Sequence, residues 1–238
     1  MSADFAAGFV DGFADGFVGK HVVVTGGTGA LGRAVVEAFL EAGAVCHVPH
    51  RGAAPADLAA SPRLLLVSGV ELADEAHVMR FYAELPELWA SVHAAGGFGA
   101  APALETTLAA LQAQLDQNLV SAFLCSREAT RRMGAGPGRI VNVASRAAVE
   151  PAGGLLAYTI SKAGVVALTR ALADEVKASA ILVNAVVPST IDTPANRKAM
   201  PSPPEVIARW SKPADIAAAI LWLASPTNRV TTGAAIPV

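Results

Sequence analysis

The chain has 238 residues, with 18 Lys and Arg against 20 Asp and Glu, so its formal net charge is −2. This length suffices for one large α/β domain or two small ones, and the near-neutral charge offers no basic surface for nucleic acid. The uncharged stretch at residues 88–104 is interrupted by glycines and a proline, which excludes a membrane-spanning helix there.

Cysteine usage and the N-terminus bear on cellular location. Cys46 and Cys125 are too few for a disulfide framework and suit a reducing compartment. The N-terminus carries Asp4, Asp11 and Asp15 but no Lys or Arg before Lys20, which is unlike a secretory signal. We therefore expect a cytoplasmic protein.

A four-residue repeat of Phe and Gly runs through the N-terminus up to Gly19. Two interpretations stay open: an arm that packs on a partner subunit, or a poorly ordered tail whose phenylalanines dock on the domain's own surface. We accordingly divide the chain into a flexible arm at residues 1–19 and a single domain at residues 20–238.

After Lys20, short apolar runs alternate with longer segments of helical period. Strands are predicted at residues 21–25, 44–48, 63–67, 88–94, 139–144, 181–187 and 233–238. Helices are predicted at residues 31–40, 74–84, 105–117, 118–133, 157–177 and 213–224. This alternation is typical of parallel strands covered by helices on both faces, so the sequence predicts one doubly wound α/β domain.

A glycine-rich turn, Thr25-Gly-Gly-Thr-Gly-Ala-Leu-Gly32, joins the first strand to the first helix. The spacing Gly27-x-Gly29-x-x-Gly32 matches the dinucleotide fingerprint, in which glycines let the backbone approach a pyrophosphate at a helix N-terminus. The alternative is a tight strand–helix turn that binds nothing.

Tyr158 and Lys162 are four residues apart near the start of a predicted helix, so both side chains lie on one face. A cation beside a phenol stabilises the phenolate and lowers the tyrosine pKa toward working pH. Ser145 follows a strand whose carboxyl end lies where α/β ligands bind. Asn118 opens or interrupts a helix, either as an N-cap or as part of the same site.

In order and spacing these motifs resemble the short-chain dehydrogenase/reductase family over residues 20–238. The motifs that carry the resemblance are the turn at residues 25–32, Ala94-Ala95-Gly96 after the fourth strand, Asn118, Ser145, Tyr158-x-x-x-Lys162, and Pro188 with Thr193. The resemblance implies a Rossmann-type parallel sheet of seven strands ordered 3-2-1-4-5-6-7 and a nicotinamide dinucleotide cofactor.

The resemblance also implies a catalytic tetrad of Asn118, Ser145, Tyr158 and Lys162. In that mechanism Tyr158 exchanges a proton with the substrate oxygen, Ser145 hydrogen-bonds that oxygen, and the cofactor carries the hydride. Lys162 holds the ribose hydroxyls and lowers the pKa of Tyr158. Asn118 anchors a water that relays protons to Lys162.

The residues expected to bind the cofactor span most of the chain. They are Gly26, Thr28, Gly29, Ala30, Leu31, Gly32, His50, Arg51, Glu71, Ala95, Gly96, Tyr158, Lys162, Pro188, Ile191 and Thr193. Ala30 replaces the family's usual middle glycine, and Glu71 replaces an Asp that usually meets the adenine. His93 and Ala94 replace a usual pair of asparagines, so we expect the loss of side-chain hydrogen bonds that brace the central strands.

The end of the second predicted strand bears on cofactor choice. An acidic residue there would bind the ribose 2′-hydroxyl and repel a 2′-phosphate, but His50 and Arg51 follow the strand instead. The sequence therefore favours NADP(H) over NAD(H). Cys46, His47 and His50 have no partner cluster that completes a four-ligand set, so no metal site is expected.

The segment from Pro188 to Pro201, followed by Trp210, is predicted to form a substrate lid near residues 189–210. It is similar to the matching segment of quinonoid dihydropteridine reductases, although Ser145 and the missing acid after the second strand depart from those enzymes. The predicted substrate residues are Phe98, Ser145, Leu156, Met200 and Trp210. Ordinary packing of a loop is an equal alternative for Met200 and Trp210.

These features together indicate an NAD(P)-dependent oxidoreductase that interconverts a carbonyl and a secondary alcohol. The alternatives are a quinonoid dihydropteridine reductase and a non-catalytic dinucleotide-binding sensor. By resemblance, the predicted helices at residues 118–133 and 157–177 pair subunits in a homodimer or homotetramer. Neither nucleic acid nor a membrane is an expected partner.

Overall fold

A computed structural model describes residues 16–53, 55 and 61–238. Its strands are β1 (His21–Thr25), β2 (Val45–His50), β3 (Leu64–Ser68), β4 (Leu88–His93), β5 (Gly138–Val143), β6 (Ile181–Val187) and β7 (Ala235–Pro237). The described helices are α1 (Ala30–Glu41), α2 (Glu75–Ala83), α3 (Leu108–Gln114), α4 (Ser121–Met133), α5 (Leu156–Glu175), α6 (Pro194–Ala199), α7 (Pro204–Ile207) and α8 (Pro213–Ala224).

The strands form one sheet of seven in the order β3-β2-β1-β4-β5-β6-β7, and every described pair of neighbouring strands is parallel. This confirms the predicted doubly wound architecture. The strand order reverses between β1 and β4, and a crevice at such a switch point is where open α/β sheets bind ligands.

Both faces of the sheet are buried, because alternate side chains of each strand point to opposite sides. On one face Val22 and Val24 of β1 pack with residues of α1 and α8. On the other face Val23 packs with residues of α2 and α4. The two layers of helices explain why the central strands are buried on both faces and mostly apolar, without a regular alternation of apolar and polar residues.

The helical stretch between β4 and β5 differs from prediction. Helices were predicted at residues 105–117 and 118–133, but α3 runs into α4 through a π-helical turn at Leu115–Val120. A π turn inserts an extra residue and widens the helix locally, and such turns occur frequently at functional sites. Asn118 lies inside this turn and is not a helix N-cap, so the N-cap interpretation of Asn118 is excluded.

The lid segment contains two short helices, α6 and α7, that the sequence analysis did not predict. The Thr193 hydroxyl caps α6 by accepting a hydrogen bond from Asn196 N at 3.1 Å. Pro194 occupies the first turn of α6, and Pro204 that of α7, where a missing N–H costs nothing.

His93 corrects one expectation. Its Nδ1 hydrogen-bonds with Asn142 Oδ1 of β5 at 2.8 Å, and its Nε2 with Ser91 Oγ at 2.8 Å. Ser91 in turn hydrogen-bonds with the Tyr82 hydroxyl at 2.8 Å. The prediction that His93 removes the bracing of the central strands was wrong, because an imidazole has two ring nitrogens and here both are engaged.

Most of the predicted arm, residues 1–15, lies outside the described residues. Phe17, the last phenylalanine of the repeat, is fully buried and packs edge-on against Phe39 with ring centroids 5.1 Å apart. Its backbone N–H also donates to Ala42 O at 3.1 Å. Phe17 is therefore part of the packed domain. Among the described helices, none combines the length and the apolar character that crossing a membrane requires.

Candidate active site

A cleft of about 730 Å³ lies at the carboxyl ends of β1, β2 and β4. The predicted cofactor residues that line it are Gly26, Thr28, Gly29, Ala30, Leu31, Gly32, His50, Arg51, Glu71, Ala95, Gly96 and Thr193. The other four predicted cofactor residues, Tyr158, Lys162, Pro188 and Ile191, do not line it. The fold thus brings residues from five separate parts of the sequence to one cleft.

Part of the cleft lining was not predicted from the sequence. The missed cleft residues are Pro49, Val70, Leu72, Ala73, Ala94, Ala113, Asp116, Gln117 and Ser121. Pro49 and Ala94 directly precede predicted residues, so their position in the sequence is a usable signal. Asp116 and Gln117 reach the cleft only because the π turn folds against it, and no motif marks them.

The backbone of the glycine-rich turn packs closely against the loop after β4 and against the start of α1. Gly26 has φ +69°, and a Cβ there would lie 2.7 Å from Ala95 N. A Cβ on Gly32 would lie 2.0 Å from Gly26 O. Helix α1 begins directly after Gly29, which supplies no side-chain cap. The uncapped N–H groups of this first turn fit the pyrophosphate of a dinucleotide.

Asn118 joins the π turn to the loop after β4. Its Oδ1 accepts a hydrogen bond from Gly97 N at 2.9 Å, and its Nδ2 donates to Gly97 O at 3.0 Å. Asn118 is buried, and a Cβ on neighbouring Gly96 would lie 2.6 Å from its Oδ1. Only glycine fits at position 96 without displacing Asn118.

Lys162 also lies close to Gly96. A Cβ on Gly96 would lie 3.3 Å from Lys162 Nζ, and this Nζ donates a hydrogen bond to Val143 O at 2.8 Å. Burial lowers the pKa of Lys162 to about 8, because a charged ammonium loses its hydration. Gly96 lines the cleft, so it connects the cleft with Asn118 and Lys162.

Tyr158 and Ser145 lie close together at the start of α5 and the end of β5. Burial raises the pKa of Tyr158, while a hydrogen bond with Ser145 acts in the opposite direction. Ser145 Oγ also accepts a hydrogen bond from Ala147 N at 3.3 Å. The expected lowering of the Tyr158 pKa by Lys162 is not found, because desolvation is the largest influence on this phenol.

Phe98 covers Tyr158 from the loop after β4. The two rings meet edge-on, with centroids 5.0 Å apart, and Phe98 is 55% exposed. Leu156, another predicted substrate residue, is also exposed in the first turn of α5. Met200 ends α6 and Trp210 follows α7, and neither lines the cleft. The structure therefore places Phe98 against Tyr158 of the predicted tetrad, and the substrate roles of Leu156, Met200 and Trp210 stay predictions.

The base of the lid is tied to the sheet. Arg146 N, next to Ser145, donates a hydrogen bond to Pro188 O at 2.8 Å. Ile191 forms a parallel bridge with Ser211. Within the lid, the Arg197 guanidinium and the Asp192 carboxylate make a two-point contact, with distances of 2.5 and 2.8 Å. These contacts fix the segment that carries Thr193 to the cleft.

The β2 end of the cleft is more open. The Arg51 guanidinium lies 3.6 Å from the Glu71 carboxylate, and 76% of the Arg51 side chain is exposed. His50 is buried and its Nδ1 has no hydrogen-bond partner. No group of three or more potential metal ligands occurs among the residues that the structure describes.

Comparisons with known proteins agree with this geometry. A family model described as short chain dehydrogenase matches residues 20–203. Galactitol 2-dehydrogenase from Rhizobium johnstonii is 35% identical over 92% of this chain and 93% of its own length. Cis-4-hydroxycyclohexanecarboxylate dehydrogenase from Sinomonas cyclohexanicum is 34% identical over 91% of this chain and 93% of its own length.

The same similarity holds among solved structures. A crystal structure of a dehydrogenase/reductase from Sinorhizobium meliloti 1021 matches with a TM-score of 0.83 and 28% sequence identity. The match covers 98% of this chain and 97% of that protein. Sequence and fold comparisons therefore converge over almost the whole chain.

Proposed function

The chain belongs to the short-chain dehydrogenase/reductase family, whose oxidoreductases use a nicotinamide dinucleotide, and on that premise we propose that it interconverts a carbonyl and a secondary alcohol with Tyr158 as the general acid and base. The observation that carries this proposal is that Asn118 and Lys162 lie directly behind Gly96, a residue of the cleft that begins at the glycine-rich turn, with Tyr158 on the same helix as Lys162. Gly96, which lies beside both Asn118 and Lys162, joins the two.

The cofactor would be held along the cleft by the first turn of α1, by the ends of β2 and β4, and by Thr193. When bound, the nicotinamide dinucleotide supplies or accepts the hydride. Two features of the chain support this fit: glycines where a Cβ would clash, and uncapped N–H groups at the start of α1.

Tyr158 carries the proton. Its raised pKa keeps the phenol protonated at neutral pH, so that it donates a proton to the oxygen of a carbonyl substrate during reduction. Ser145, hydrogen-bonded to Tyr158, directs its hydroxyl to the same substrate oxygen. In the oxidative direction Tyr158 first releases its own proton to solvent, and the phenolate then takes the proton of the alcohol while Ser145 hydrogen-bonds the same oxygen.

Lys162 serves as a fixed cation and hydrogen-bond donor. Val143 O holds its Nζ at 2.8 Å, beside Gly96 at the edge of the cleft. From this position the ammonium binds the ribose hydroxyls of the cofactor. Asn118 holds the Gly97 peptide next to Gly96, and from there it would anchor the water that relays protons to Lys162.

We further propose that the cofactor is NADP(H). β2 (Val45–His50) and Arg51 directly after it contain no acidic residue that would repel a 2′-phosphate, and Arg51 is largely exposed and only loosely paired with Glu71. The buried His50 lies beside it on the cleft. Together these groups favour an additional phosphate.

We propose a homo-oligomer, a dimer or a tetramer, that acts in the cytoplasm. Apolar side chains are exposed on three consecutive helices, at Leu108 of α3, Phe123 of α4 and Ile160 of α5. Contact with a second subunit would remove them from water.

The test of the activity is a binding and turnover experiment on the purified protein. NADPH and NADH are titrated by fluorescence, and turnover is then followed with a panel of ketones, secondary alcohols and quinonoid dihydropterin. We expect ketone-dependent oxidation of NADPH. Oxidation of NADPH or NADH with the quinonoid dihydropterin, but with none of the ketones, would identify the protein as a pteridine reductase instead. Tight cofactor binding without turnover of any compound would contradict an enzymatic role.

Tyr158→Phe tests the mechanism. It retains the ring that packs against Phe98 but removes the proton donor, so kcat should fall by about a thousandfold or more. The dissociation constant for the cofactor should change by less than about twofold. Tyr82→Phe, which removes a buried phenolic hydroxyl bonded to Ser91 and leaves Tyr158 intact, is the control. Turnover of Tyr158→Phe at the wild-type rate would overturn the assignment of Tyr158.

A further inference from the structure

Ser161 is a fully buried residue of α5 between Tyr158 and Lys162. Its hydroxyl donates a hydrogen bond to the backbone carbonyl of Tyr158 at 2.8 Å and accepts one from Asn118 Nδ2 at 3.0 Å. One bond fixes the helical turn that carries Tyr158. The other fixes the π turn that carries Asn118, so a single hydroxyl connects the two turns.

Both hydrogens of the Asn118 side-chain amide have acceptors within the protein. One Nδ2 hydrogen goes to Gly97 O at 3.0 Å, and only one remains. Two acceptors compete for it, Ser161 Oγ at 3.0 Å and Gln114 Oε1 at 3.3 Å. Ser161 is the nearer acceptor. The Gly97 peptide, the Asn118 amide and the Ser161 hydroxyl therefore form a continuous chain of hydrogen bonds, which we term the Gly97–Ser161 clamp.

The clamp joins the loop after β4 to the helix that carries the phenol. The same loop reaches Tyr158 by a second contact, the ring of Phe98, and it carries Gly96 beside Lys162. A displacement of the first turn of α5 would thus move Tyr158 relative to the cleft. Errors of about 1 Å in the placement of a reacting group reduce turnover by about a hundredfold.

We infer that Ser161 is a positioning residue, which transmits the hold of Gly97 and Asn118 to the turn that carries Tyr158. The inference rests on the proposed function, since it gives Ser161 a role in turnover only where Tyr158 exchanges the proton. Ser161 acts through Tyr158 and Asn118 and needs no contact with the substrate.

Thr169 provides a matched control on the same helix. It is also fully buried, donates to the carbonyl of Val165 at 2.8 Å, and accepts a hydrogen bond from Asn142 Nδ2 at 2.9 Å. Thr169→Val therefore removes a hydroxyl with the same kinds of partner as Ser161→Ala. The difference is that the partners of Thr169 lie outside the proposed tetrad.

The first measurement compares these two variants with the wild type in steady-state kinetics, NADPH titration and thermal unfolding. We expect both variants to unfold at lower temperature and to bind NADPH within about twofold of the wild type. Ser161→Ala should lower kcat by about tenfold, while Thr169→Val should stay within about twofold. An equal effect of both variants on kcat would overturn the inference.

The second measurement is a double-mutant cycle with Asn118→Ala. Because Ser161 acts through Asn118, Ser161→Ala should change kcat by less than about twofold once Asn118 is removed. An undiminished tenfold loss in that background would also overturn the inference. Failure of the proposed function is separate: it would appear as full turnover by Tyr158→Phe, whatever Ser161→Ala does.

Discussion

The two ends of the cleft hold their functional side chains in different ways. Beside Gly96, at the end of the cleft next to α5, Asn118 and Lys162 are buried, and hydrogen bonds of 2.8–3.0 Å hold them to the backbone of the protein. At the end formed by β2 and β3, Arg51 is largely exposed and meets Glu71 only at 3.6 Å.

This difference separates the control of rate from the control of cofactor choice. Buried groups with several partners are fixed in place, so a substitution there changes the geometry of the reaction. An exposed ion pair contributes little to stability and is readily exchanged. We therefore expect substitutions at the α5 end to lower turnover and substitutions at the β2 end to change selectivity while the fold is retained.

After Tyr158→Phe, the largest effect is expected for Gly96→Ala. A Cβ there would lie 2.6 Å from Asn118 Oδ1 and 3.3 Å from Lys162 Nζ, so both groups must shift. We expect kcat/KM to fall by about a hundredfold in steady-state assays. Gly153→Ala, which adds a Cβ with no neighbour within 4 Å, is the control and should match the wild type. Normal turnover by Gly96→Ala would contradict the tight packing at this end.

A smaller effect, confined to selectivity, is expected for Arg51→Asp. The carboxylate would repel a 2′-phosphate and bind the ribose 2′-hydroxyl, which moves the ratio of the NADPH and NADH dissociation constants toward NADH by about tenfold or more. Fluorescence titration measures both constants. Arg229→Asp makes the same charge change at another exposed site and should leave the ratio unchanged. An unchanged ratio in Arg51→Asp would refute the preference for NADP(H).

The smallest effect is expected for His93→Asn, below the cleft. Burial lowers the pKa of His93 to about 4, against 6.5 for a free histidine. Between these values the unfolded chain binds a proton that the folded protein excludes, so stability is complete above pH 6.5 and is lost as the pH falls toward 4. The stability that the folded protein loses in this way at pH 5 is about 2 kcal/mol.

Urea unfolding at pH 5 and pH 7 tests this expectation. The loss of stability between the two pH values should be about 2 kcal/mol smaller for His93→Asn than for the wild type. Burial and the charge of His21 also lower the pKa of His47 to about 4. His47 is present in both proteins, so its contribution to the loss of stability at low pH is the same in both. Equal losses in both proteins would show that His93 is not the group that excludes the proton.

Local patterns in the sequence were enough for the architecture and for part of the site. Strand runs and helical periods predicted the doubly wound domain, because parallel strands buried on both faces are mostly apolar and lack a regular alternation. The turn at Gly26 and Gly32 was predictable because close backbone approach there demands glycine. Tyr158 and Lys162 were placed on one helical face by their spacing alone.

Contacts between distant residues could not be predicted in this way. Asn118 and Ser161 are 43 positions apart, and neither carries a local sign of its partner. The widening of the helix at Leu115–Val120 depends on what Asn118 meets in the loop after β4. The bracing by His93 was predicted wrongly because its partner Asn142 lies on another strand, 49 positions away.

The sequence by itself thus determined the alternation of strands and helices, the glycine-rich turn and the pair of Tyr158 and Lys162, since each depends on the steric and spacing requirements of neighbouring residues. Only the tertiary structure decided which groups surround them. Packing brought the Asn118 amide to Ser161, raised the pKa of Tyr158 and left Arg51 exposed, because burial and hydrogen bonding arise from segments that meet only in the folded chain.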